Sequence, residues 1–97
     1  MAAYVVVDTK IKDDGEMEHY KQRAKPLVEK FGGQYLARGG RLAVKETKLW
    51  SPTRIVLLRF DSVKQAEDFY ESAEYQALLP VSHKAADRTF LIVEGLE

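Results

Sequence analysis

Arg54-Ile55-Val56-Leu57-Leu58-Arg59-Phe60 is the stretch that decides how this chain folds. A short aliphatic run bounded by Pro52 on one side and Asp61-Ser62 on the other reads as a strand. Side chains alternate between the faces of a strand, so Ile55 and Leu57 fall on one face and Val56, Leu58 and Phe60 on the other. Both faces are apolar. An antiparallel sheet with helices on one side and water on the other should turn polar on the watered side. The same pattern recurs in the first strand, with Tyr4 and Val6 against Val5 and Val7. In the last it sets Leu91 and Val93 against Phe90 and Ile92.

Downstream of this strand, Ser62 followed by Gln65 has the spacing of a capping box. It opens a helix whose inner face is Val63, Ala66, Phe69, Tyr70 and Ala73. Glu74 to Leu79 adds a helical turn or two, Pro80 is expected to end it, and Arg88 to Glu94 is the last strand. Upstream, Ala3 to Ile11 is a strand stopped by Lys12-Asp13-Asp14-Gly15. Asp13 with Glu16 makes a second capping pattern, and Met17, Tyr20, Ala24, Leu27, Val28 and Phe31 recur at helical spacing as far as Gly32-Gly33. Pro26 predicts a kink around Gln22–Pro26. Gln34 to Arg38 and Arg41 to Lys45 read as one strand with a glycine bulge at Gly39-Gly40, in preference to a two-residue hairpin. The order is β-α-β-β-α-β, a ferredoxin-like α+β fold with a four-stranded antiparallel sheet in the order 4-1-3-2 and helices on one face.

At 97 residues the chain has room for a single domain, residues 1–97. A sheet apolar on both faces, with helices for only one, needs a second cover, and a symmetric copy is the simplest: the expected partner is self, a homodimer through the sheet faces. Fifteen Lys+Arg balance fifteen Asp+Glu, so no net field favours nucleic acid or an anionic membrane. An RNA-recognition module shares this topology but exposes aromatics on its central strands, where this chain is aliphatic. Cysteine is absent, which removes disulfides, thiolate nucleophiles and Cys-ligated metals. Two histidines with no ligand spacing leave no expected metal site, and no motif implies a cofactor. With no basic leader region and no stretch of about 20 apolar residues, the expected location is cytoplasmic.

The motifs Gly32-Gly33-x-Tyr35-Leu36-x-Arg38-Gly39-Gly40, Trp50-x-Pro52-x-Arg54 and Tyr70-x-Ser72-x-Glu74-Tyr75-Gln76 add a further indication. Together they resemble the small bacterial proteins called domain of unknown function 1330, within the dimeric α+β barrel superfamily. The resemblance runs from the first strand to Val93-Glu94-Gly95. It implies a dimer in which two four-stranded sheets pack into a barrel-like core, and it supplies no catalytic residues. Distant superfamily members include cofactor-free oxygenases, haem-degrading enzymes, lactone isomerases and polyketide cyclases, among which a shared fold does not choose.

Candidate site residues follow from the topology. Asp8 is expected near Arg54 and Arg88 at one end of the sheet, where two guanidinium groups could grip an anion and Asp8 could orient one of them. Tyr20, Tyr35, Trp50, Tyr70 and Tyr75 are amphipathic aromatics suited to an apolar pocket, and Arg38 is expected beside it. His19 is expected to face solvent. His83, in the segment after Pro80, is expected at the mouth of the helix–sheet cleft and is the candidate general base. The resulting expectation is a small homodimer binding a partly apolar or anionic molecule in that cleft. The alternatives are a metal-free oxygenase or isomerase, and an interaction protein with no ligand.

Overall fold

The computed structural model describes residues 1–97. Its elements are β1 (Ala3–Ile11), α1 (Asp14–Lys30), β2 (Gln34–Arg38), β3 (Ile55–Phe60), α2 (Val63–Glu71), α3 (Ala73–Ala85) and β4 (Ala86–Glu94). The sheet order is β2-β3-β1-β4, which is the expected 4-1-3-2 read from the other edge, and every pairing is antiparallel. No helix is long and apolar enough to cross a membrane.

The helix starts follow their caps. Asp13 Oδ1 accepts from the Glu16 amide at 3.0 Å, and Ser62 Oγ from the Gln65 amide at 3.1 Å, each satisfying an orphan donor of the first turn. α1 ends in a Schellman arrangement: Gly33 N–H donates to Val28 O and Gly32 N–H to Glu29 O, with Gly32 at φ +82°.

Two local expectations change. α3 runs through Pro80, which does not end it, just as α1 runs through Pro26 to its expected end. Both prolines sit on exposed helix faces, as do Gln22 and Gln76, whose carbonyls they leave without a backbone donor. Water can serve those carbonyls, and the helix survives. The second change concerns β2, which stops at Arg38. Its irregularity lies between Tyr35 and Ala37, and residues 39–54 form no regular structure. Gly39, at φ +70°, gives its amide to Ile55 O and turns the chain off the sheet, leaving the β-like run Arg41–Lys45 without a partner strand.

The strand registers align side chains in rows. On the helix-covered face, Ile92, Val5, Leu58 and Tyr35 make one row and Phe90, Val7, Val56 and Arg38 the next. Against them pack Ala24 and Val28 of α1, Ala66 and Phe69 of α2, and Tyr75 and Leu78 of α3. Phe69 is the hinge of this core, its ring 4.6 Å from Tyr75 and 5.5 Å from Phe60 between centroids. The opposite face carries the rows Val93, Tyr4, Arg59 and Leu91, Val6, Leu57, with no helix above them.

Candidate functional site

The third row of the helix-covered face differs from the two above it. Thr9 pairs with Arg88 on β4, and its amide donates to Arg54 O at 2.9 Å, so the two arginines flank Thr9 at the end of the sheet. Arg38 closes the same corner from β2. Here the N-terminal half of α1 lies over the sheet, and a cavity opens between them. Its walls are mostly apolar, with Val7, Val28, Leu58 and Phe69 in the interior. Its polar lining is Thr9, Tyr20, Lys21, Tyr35, Arg38, Arg54, Tyr75 and Arg88. The enclosed volume is about 50 Å³, within about 520 Å³ of empty space that includes the open mouth.

Arg88 is the centre of the polar arrangement. Its Nη1 donates to Tyr20 Oη at 3.1 Å and to Tyr75 Oη at 3.0 Å, and the two hydroxyls are themselves 2.7 Å apart. The guanidinium also lies over the Tyr20 and Phe90 rings, 5.3 and 5.6 Å from their centroids. Burial works against its charge, but the two phenol oxygens outweigh burial, and its pKa is raised. Burial pushes the Tyr75 hydroxyl well above the usual phenol range, and that of Tyr35 upward too, against the pull of Arg38. At neutral pH the cavity therefore presents charged guanidinium groups and un-ionised Tyr75 and Tyr35 phenols.

No carboxylate lines the cavity. Arg38, Arg54 and Arg88 take part in none of the ion pairs of the chain, whereas Lys21 is paired with Glu18 at 3.0 Å. Gly39 has a part in holding Arg54: a Cβ there would lie 2.8 Å from Arg54 Nε, so the guanidinium rests against bare backbone.

Of the residues singled out from sequence, Tyr20, Arg38, Arg54 and Arg88 come together on the cavity wall, and Asp8, Trp50, Tyr70 and His83 do not. Asp8 shares the sheet end but the opposite face, because strand parity sets it one residue away from Thr9. Its carboxylate accepts from the Thr53 and Arg54 amides at 2.9 and 3.0 Å and from Trp50 Nε1 at 3.0 Å. Asp8 thus clasps the end of the 39–54 segment instead of orienting a guanidinium, and Trp50 belongs to that clasp. Tyr70 packs its ring on Phe90, 4.8 Å between centroids, and lines a shallow groove on the far side. His83 is exposed on the last turn of α3 and does not line the cavity, because the helix continues past Pro80 and carries it outward. His19 is exposed, as expected.

Tyr35 and Tyr75, among the pocket-suited aromatics of the sequence, also line the cavity, whereas Thr9 and Lys21 escaped the sequence reading. The position of Tyr75 four residues before Leu79 gave no hint that α3 would turn it onto Arg88. Lys21 was legible: it lies four residues after Met17 and three before Ala24, on the inner stripe of α1.

A four-stranded antiparallel sheet in the order β2-β3-β1-β4 with helices on one face defines a ferredoxin-like fold. The chain matches the model of the domain of unknown function DUF1330 over residues 2–96, and it belongs to that family. No curated protein matches it. Among solved structures it is similar to a protein of unknown function from Rhodopseudomonas palustris, at 13% identity and a TM-score of 0.74, covering 99% of this chain and 83% of that one. It is also similar to a dimeric protein of unknown function and ferredoxin-like fold from Bacteroides fragilis, at 16% identity and 0.61, covering 97% and 96%. A candidate antibiotic biosynthesis monooxygenase from Nitrosomonas europaea aligns at 19% identity and 0.60, covering 98% and 90%. At these identities the likeness shows the fold alone.

Proposed function

We propose that this chain is a small cytoplasmic homodimer that binds a small, partly apolar anion in the cleft between α1 and the sheet. The observation that carries the reading is three arginines, Arg38, Arg54 and Arg88, on the wall of a mostly apolar cavity that contains no acidic side chain. Arg38 is exposed at the mouth, but Arg54 and Arg88 are partly buried; such cations without a counter-charge are costly in a folded protein, and an anionic ligand supplies the missing charge. Binding, and not proton abstraction, is the reading favoured: with His83 on the exposed face of α3, no imidazole or carboxylate reaches the cavity to act as a base. An interaction role without a ligand is supported less, since Tyr20, Phe69 and Tyr70 leave the cleft open.

Self-association is supported by the uncovered apolar rows around Val6 and Tyr4 and by the dimeric Bacteroides fragilis protein of the same fold. The test of the cleft is a thermal-shift comparison of butyrate with butylamine at equal concentration. Stabilisation by the anion alone, lost in Arg54→Gln, is expected; stabilisation by the amine, or none by either, would refute the reading.

A further inference from the structure

A hydrogen-bond count at Tyr20, Tyr75 and Arg88 narrows the ligand further. Arg88 Nη1 donates to both hydroxyls, and one hydroxyl donates to the other. The hydroxyl that accepts from its neighbour thereby receives two hydrogen bonds, which fills both of its lone pairs. Its own proton is left with no acceptor in the protein. The remaining N–H groups of Arg88 are in the same position: none reaches a carboxylate, and Nε is buried with no partner at all. The trio is thus in surplus of donors, in a cavity wall that already carries Arg54.

Shape adds a second constraint. The donors left over are Nη2 of Arg88 and one phenol O–H, and the two oxygens of a carboxylate can accept from both side by side. The cavity of about 50 Å³ holds about three to five water-sized groups, given that one such group needs roughly 10–15 Å³, and the remainder of a short ligand extends into its open mouth. A benzene ring in an engineered cavity occupied about three times that space. We infer that the ligand of this cleft is a short-chain aliphatic monocarboxylate, its carboxylate at Arg88 and the free tyrosine hydroxyl and its few-carbon tail on the apolar wall of Val7, Val28 and Leu58. This rests on the anion-binding reading above and specifies the ligand class for the same site.

The experiment is a ligand-observed NMR titration of the intact protein with acetate, propionate, butyrate, butyramide, butylamine and butanesulfonate. Affinity is expected to rise about fourfold for each methylene from acetate to butyrate, as burial of one methylene predicts. Butyramide, of the same shape but neutral, is expected to bind at least tenfold more weakly than butyrate, and butanesulfonate to fall between them. Tyr20→Phe combined with Tyr75→Phe keeps both rings and removes both hydroxyls; it should weaken butyrate about tenfold and butyramide by less, since a phenol donates more strongly to a charged acceptor than to a neutral one, whereas a merely structural pair would weaken both alike. Butanesulfonate matching butyrate would overturn the carboxylate assignment and leave the anion cleft standing. Equal binding of butyramide or butylamine would overturn both, as would the absence of binding by every probe. An unchanged butyrate affinity in the double tyrosine variant, with butyrate still preferred, would overturn the donor role of the tyrosine pair.

Discussion

The two faces of the sheet are built from the same strands and meet opposite fates. On one, Val5, Leu58 and Phe60 are buried beneath Phe69, Tyr75 and Val28, and the rows end in arginines around a cavity. On the other, Val6, Leu57 and Leu91 form an apolar row with nothing above it, and Leu91 and Val93 remain 39% and 48% exposed. A β-strand assigns residues to faces by parity alone, so one strand can place a core on alternate positions and a second apolar face on those between them. The difference teaches that hydrophobicity in a strand does not say which partner will cover it.

The comparison can be broken most severely from the covered side. Phe69→Ala removes the ring that touches Phe31, Phe60 and Tyr75, and urea denaturation should show a loss of about 3–5 kcal/mol. Leu57→Asp probes the bare face. If a second copy covers it, sedimentation should show a shift from dimer to monomer, with a stability loss that shrinks as protein concentration falls. A change within about 0.5 kcal/mol, with unaltered sedimentation, would mean that the face is bare in solution.

Asp8 sharpens the comparison at a smaller scale, since it sits on the bare face and fastens the 39–54 segment. Asp8→Ala leaves the Thr53 and Arg54 amides and the Trp50 indole without their acceptor, and a loss of about 1–3 kcal/mol is expected. Burial alone would raise the Asp8 pKa; the hydrogen bonds from Thr53, Arg54, Trp50 and Thr9 prevail and hold it below the ordinary 3.8. A depressed native pKa contributes stability that is complete above the unfolded value and lost as pH falls through the native one. The wild type should therefore lose stability more steeply than Asp8→Ala as pH drops below 3.8. The smallest effect on stability belongs to Arg54→Gln, expected within about 0.5 kcal/mol because no acidic partner is abandoned. Butyrate binding should nonetheless fall several-fold, because one of the positive charges on the cavity wall is lost.

Much of the architecture is written locally. Asp13 and Ser62 announce their helices because a side-chain oxygen three residues before an amide caps whatever the rest of the protein does. Gly32 marks the end of α1 because few other residues adopt its positive φ. Pro80 misleads for a reason that is not local: whether a freed carbonyl ends a helix depends on whether it faces water, and Pro80 lies on an exposed turn. Continuation past Pro80 then carries His83 out of the cleft. The cluster around Arg54 and Arg88 was legible to within one residue, but that residue decides the face, and it exchanges Asp8 for Thr9 as the neighbour of both arginines.

By itself, the sequence determined the order of elements, the topology that this order implies, and the presence of two apolar sheet faces, because caps, turns and alternation act over a few residues. Only the tertiary structure decided which polar groups meet. Tyr20, Tyr75 and Arg88 lie on α1, α3 and β4, and their hydrogen-bonded trio exists because three elements pack to within 3.1 Å at one end of the sheet. No spacing along the chain encodes that distance, since it is set by how helices seat on a sheet and not by any pattern within them.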